Sequence, residues 1–176
     1  MNDLKDRKIN NIRISGADRF AQLATMGEVV FSVQDVATIW NVKNRQTLRM
    51  LLARYVKRGL LYRVWRGLYS VIEPKKIDPM FLGIKALHRY AYISCEIVLF
   101  DAGLINQRPV EITMVSDVSK RFSLLGDHYH VRRMRNSMLY DTLGIVLKNG
   151  VRVATPKRAK QDMNYFNPKK YYDADK

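Results

Sequence analysis

Arg45, Gln46 and Arg49 are the residues of this sequence whose types and spacing best suit a specific chemistry. Arginine presents a planar fork of donors, and glutamine a paired donor and acceptor. Each can make two parallel hydrogen bonds to a base edge, arginine with guanine and glutamine with adenine. Steps of three and four residues bring side chains to one side of a helix. The charge around them is concentrated: from Lys43 to Lys76 there are ten basic residues and one acid, Glu73, or +9 within 34 residues of a chain whose total is +15. Arg63, Arg66, Lys75 and Lys76 suit phosphate, which sets register without reading sequence. Adding the flanking and outward positions, the candidate DNA-binding set is Lys43, Asn44, Arg45, Gln46, Arg49, Lys57, Arg63, Arg66, Lys75 and Lys76.

Other residues capable of chemistry form weaker patterns. His128 and His130 stand two apart, so they would share one face of a strand, half of a metal site with no third ligand placed by the sequence. Cys95 is the only cysteine, which excludes an intrachain disulfide and a thiolate-rich zinc site. Lying near the start of a helix could lower its pKa, but a lone cysteine in an apolar run is more often buried and inert. Asp101, Glu111 and Lys120 invite comparison with metal-dependent nucleases, which place a lysine two residues after the second acid. Thr113 occupies that position here. No glycine-rich phosphate loop, nucleophile elbow or His-Glu-x-x-His sequence occurs. No catalytic residue, metal site or cofactor is expected.

The elements that would carry the basic segment follow from local signals. Ser15 and Gly16 precede a helix over 17–26, with Gly27 past its end. Residues 29–31 read as a short strand. Ser32 and Asp35 form a capping box for a helix over 33–40 that buries Val36 with Ile39 or Trp40. After a break at 41–43, Asn44 caps a third helix over 45–58. Its buried stripe is Leu48, Leu51, Leu52 and Tyr55, leaving Arg45, Gln46, Arg49, Ala53 and Lys57 opposite. Residues 60–65 and 68–71 read as hairpin strands around Arg66-Gly67. Two helices joined by a tight turn and followed by a basic hairpin predict a winged helix-turn-helix over 15–76, the third helix entering the major groove.

Beyond it the sequence predicts a small mixed α/β domain over 77–165, making the whole an α+β protein. Helices are expected from Pro79 to about His88, over 95–102 with Ser94 as cap, and from Thr155-Pro156 to about Tyr165. Strands are expected over 110–115, 128–134, 143–147 and 151–154, the last two joined by Asn149-Gly150. Residues 1–14 read as an N-terminal arm and 166–176 as a tail alternating aromatics with charge. The polar start lacks the apolar core of a secretory signal, and no apolar run reaches the length of a membrane helix. A cytoplasmic protein without membrane contact is expected.

Phe31-Ser32-x-x-Asp35-Val36-Ala37, the stretch 48–54, Gly59-Leu60 and Arg66-Gly67-Leu68-Tyr69 resemble the N-terminal domain of AbiEi-type antitoxins, regulators of type IV toxin–antitoxin systems tied to abortive phage infection. Tyr92-Ile93-Ser94 with Asp101-Ala102-Gly103-Leu104 resembles the family's second block. Ala154-Thr155-Pro156-x-Arg158-Ala159-x-x-Asp162 resembles its third, although Lys157 stands where an acid is usual. The resemblance implies an antitoxin that represses its own operon by binding promoter repeats in double-stranded DNA. It also implies a neighbouring nucleotidyltransferase-like toxin, antagonised indirectly. One helix-turn-helix per chain suits a monomer or weak homodimer.

Two other readings stay open. A winged helix can serve as a protein-interaction module, its basic surface meeting an acidic partner. More remotely, the acids of the second half could serve a metal-dependent nuclease. Lys120-Arg121 and Arg132-Arg133-x-Arg135 are further basic clusters whose role the sequence leaves open: more DNA footprint, a partner surface, or a solvated face.

Overall fold

A computed structural model describes residues 15–168, and both the expected arm over 1–14 and the chain from 169 onward lie outside the described residues. The chain is a mixed α+β protein. Its elements begin with α1 (Gly16–Thr25), β1 (Val30–Ser32), α2 (Val33–Ile39), α3 (Arg45–Lys57), β2 (Tyr62–Trp65) and β3 (Leu68–Ser70). The three helices start where their caps dictate. Ser15 and Asp18 close one capping box and Ser32 and Asp35 another. Asn44 Oδ1 accepts from the backbone N–H groups of Gln46 (2.9 Å) and Thr47 (3.0 Å), satisfying two of the donors that a helix start leaves without partners.

A small core holds the helices together: Leu23, Phe31, Val36, Trp40, Leu48, Leu52, Tyr55 and Leu61. Two buried aromatics also tie α1 down by hydrogen bonds. Trp40 Nε1 donates to the Arg19 carbonyl (2.9 Å) and Tyr55 Oη to that of Gly16 (2.7 Å), with the two rings 5.1 Å apart. Of the alternatives left open for α2, Trp40 is the buried residue and Ile39 is only partly covered. The strands form a sheet of order β1-β3-β2. At the hairpin turn Gly67 has φ +76°, a conformation that costs glycine little, and its carbonyl accepts the Val33 N–H at 3.0 Å. The turn is thereby docked on the start of α2.

After a 3-10 turn at Pro74–Lys76 come α4 (Pro79–Leu87), β4 (Ala91–Ile93), α5 (Glu96–Asp101), β5 (Glu111–Ser116), β6 (Lys120–Leu124) and β7 (Asp127–Arg133). Then follow α6 (Asn136–Leu139), β8 (Ile145–Lys148), β9 (Val151–Ala154) and α7 (Pro156–Phe166). Six strands make one mixed sheet of order β6-β7-β5-β4-β9-β8, with β4–β9 and β5–β7 parallel. Val30, Val64 and Leu68 of the first sheet pack into this sheet's hydrophobic cluster. No described helix is long and apolar enough to cross a membrane.

Two strands, β4 and β6, are absent from the sequence expectation, and one cap is corrected. Ser94 does not cap the helix that follows. Cys95 takes the cap position with φ 63°, and the Ser94 hydroxyl donates instead to Asp162 Oδ2 at 2.7 Å. On α4, a Cβ added to Gly83 would fall on the Tyr129 ring and press on Met114. Gly83→Ala is therefore expected to destabilise the protein by about 1–3 kcal/mol through overpacking, as read by thermal or denaturant melting. Unchanged stability would mean that Tyr129 can retreat.

Candidate nucleic-acid interface

Helices α2 and α3 and the β2–β3 hairpin enclose a groove of about 920 Å³. Lys43 reaches it from the turn between the helices, Arg45 and Arg49 from α3, Arg63 and Arg66 from the hairpin. All five side chains are exposed, and no acid lines the groove. Among the described residues none of the five forms an ion pair. Helical spacing explains Arg45 and Arg49, because Leu48 and Leu52 commit the adjoining face of α3 to the core. Pairing explains Arg63: it stands opposite Tyr69, which also lines the groove.

The other predicted residues divide into two groups. Gln46 and Lys57 are exposed on α3 but outside the groove lining, and the Asn44 side chain spends its acceptor on the cap. Lys75 and Lys76 belong to the 3-10 turn. Lys76 lies 3.5 Å from Glu73 and borders a separate hollow of about 390 Å³ shared with α4 and Asn149-Gly150. The sequence reading missed Gln34, Thr38 and Asn41, which line the groove from the α2 side. Gln34 and Thr38 carried a signal, four apart on the flank of α2 away from Val36, whereas Asn41 follows in the turn with φ +50°.

Elsewhere, reactive side chains are occupied by the fold. Arg121 Nε lies 3.0 Å from Glu111 Oε1 and Arg121 Nη2 3.2 Å from His130 Nδ1. Burial, and then the Arg121 charge, hold the His130 pKa below its usual value. His128 meets the Ser123 hydroxyl at 2.8 Å. Lys120 lies over the Trp65 and Phe122 rings, and Arg132 over Phe166 at 4.2 Å and within 3.8 Å of Glu96. Cys95 is fully buried, and burial, with Glu96 beside it, pushes its thiol up to about 12. Among the described residues no three His, Cys, Asp or Glu side chains are gathered to hold a metal ion.

The groove thus brings together five exposed cations that form no ion pair among the described residues, with no acid in its lining. A row of guanidinium and ammonium groups with no ion-paired acid among the described residues suits an anionic chain, the arginines offering paired donors to phosphate or to guanine. No protein-family model matches this sequence, and no curated protein matches it significantly.

Proposed function

We propose that residues 15–76 act as a winged helix-turn-helix and that the protein binds double-stranded DNA to regulate transcription. The observation that carries this reading is the acid-free groove, whose five cations form no ion pair among the described residues. The order of elements supports it: α2, a tight turn, α3 as the helix that enters the major groove, and β2–β3 as the wing. Arg49 and Gln46 read bases from the exposed side of α3. Lys43, Arg63 and Arg66 hold the backbone.

On the resemblance to AbiEi-type antitoxins, the regulated promoter is the protein's own. Its operon partner is a nucleotidyltransferase-like toxin whose action is countered indirectly, and the protein binds promoter repeats as a monomer or weak homodimer. This is the role of a binding protein and not of a catalyst. The test is competition between the gene's upstream DNA and random duplex of equal length. Arg49→Ala and Gln46→Ala should each narrow that preference by about 1–3 kcal/mol, the worth of a good base contact. If Arg45, Gln46 and Arg49 can all become alanine with preference intact, α3 is not the reading helix. A stable acidic protein co-purifying with a chain indifferent to its upstream DNA would favour the interaction module instead.

A further inference from the structure

The hairpin that flanks the groove is gripped from behind by the six-stranded sheet. Strict alternation would put Arg63 and Trp65 on the same side of β2. A bulge between them prevents this: Arg63 stands opposite Tyr69, whereas Trp65 stands opposite Leu68. One extra residue in a strand re-aims the side chain that follows. Arg63 therefore faces the groove, and Trp65 turns with Leu68 toward the large hydrophobic cluster.

There Trp65 stacks on Phe122 of β6, centroids 5.4 Å apart and planes at 16°. Phe122 stacks in turn on Tyr129 of β7 at 4.8 Å and 12°. Tyr129 is anchored at the far end. Its hydroxyl donates to the Pro79 carbonyl at 2.9 Å, and its ring occupies the space that Gly83 leaves on α4. Lys120 Nζ sits 5.5 Å from the Trp65 centroid and 5.3 Å from that of Phe122, a placement that favours the stacked arrangement. Three rings thus make one column from α4 to the residue beside Arg66.

We infer that this column holds the hairpin where Arg66 can meet the DNA backbone, and that Phe122 is a positioning residue for binding although it lies outside the groove. The Val33–Gly67 hydrogen bond pins one point of the turn. Pairing with β1 holds β3, and the column braces β2, the edge strand of that sheet, which ends beside Arg66. The inference rests on the duplex-binding reading above.

The experiment is a double-mutant cycle on the full chain with labelled upstream duplex: wild type, Arg66→Ala, Phe122→Ala and the pair. Acrylamide quenching of tryptophan emission is measured alongside. Trp40 is buried, so quenching reports mainly on Trp65. Arg66→Ala should weaken binding several-fold in the wild-type background, and by less than about two-fold once Phe122 is alanine, because contacts that share a support are not additive. Phe122→Ala should raise quenching, and Phe122→Tyr, which keeps the ring, should restore both properties. If Phe122→Ala melts early, Phe122→Leu takes its place.

Equal losses from Arg66→Ala in both backgrounds overturn the positioning role, as does unchanged quenching. If that happens while Arg49→Ala still narrows the preference for upstream DNA, the DNA reading stands and only the column's role falls. Should the wild type bind no duplex, reading and role fall together.

Discussion

Raising salt from about 50 to about 200 mM should weaken duplex binding about 40-fold, if Lys43, Arg63 and Arg66 each neutralise one phosphate and the slope of log affinity against log salt is about −2.7. The driving force is release of counterions condensed on the duplex, so the slope counts contacts. Of the five groove cations, the three outside the reading helix α3 are the ones to count. Lys43, Arg45, Arg49, Arg63 and Arg66 face one groove and form no ion pairs among the described residues. Arg121 and Arg132 are already paired with Glu111 and Glu96, so they should add little. Arg63→Ala with Arg66→Ala should lower the slope by about two, at about 0.9 per phosphate contact. Lys76→Gln should leave it unchanged, since Lys76 pairs with Glu73 away from the groove. The measurement is equilibrium binding across a salt series, by anisotropy or gel shift. A slope shallower than about −1 would contradict backbone binding by this groove. It would favour an acidic protein partner, whose sparser carboxylates condense fewer counterions.

The helices that build this groove were legible because their signals are local. Ser32 with Asp35, Asn44, and the Leu48–Leu52–Tyr55 spacing each lie within one or two turns of what they specify. Gly67 and Asn149-Gly150 marked hairpins for the same reason, since positive φ is a property of single residues. What could not be read depends on distant partners. β4 is three residues long and exists because β5 and β9 flank it. Ser94 looks like a cap until the chain brings Asp162 beside it. The bulge between Arg63 and Trp65, which turns the indole away from the side that Arg63 faces, has no local signal. Lys75 and Lys76 looked continuous with the basic segment. Pro74 starts a 3-10 turn there that sends Lys76 to another hollow.

Tyr92 and Ser94 from the second block of the AbiEi resemblance, and Arg158 and Asp162 from the third, converge on a buried network, and its loss should be the most damaging to stability. The Arg158 side chain is only 7% exposed and that of Asp162 2%. Arg158 Nε donates to Asp162 Oδ1 at 2.9 Å. Nη1 donates to the carbonyls of Asp141 (3.0 Å) and Leu143 (2.9 Å), and Nη2 to Tyr92 Oη (3.2 Å) and the Met138 carbonyl (2.9 Å). These five bonds match the five N–H groups of a guanidinium. Ser94 completes the coordination of Asp162. Burial, and then the Asp162 charge, push the Tyr92 hydroxyl pKa well above its usual value, so it stays protonated.

Arg158→Met would leave a carboxylate buried without its cation, and would free the three carbonyls that hold the segment 138–143 against α7. Breaking a buried pair from one side costs about 3–5 kcal/mol, a large part of the roughly 5–15 kcal/mol that keeps a domain folded. Melting should fall by about 6–20 °C, at roughly 2–4 °C per kcal/mol for a chain of this size. Arg158→Lys should recover little, because an ammonium cannot reproduce five planar donors. Removing both charges with Arg158→Met and Asp162→Leu should recover part of the loss, since a charge left buried alone is what makes the single change severe. The orphaned carbonyls and Ser94 would keep the double variant below wild type. A single Arg158→Met protein that melts within a degree or two of wild type would show that water reaches Asp162. The network would then be peripheral, and the resemblance in these blocks would need a functional explanation instead of a structural one.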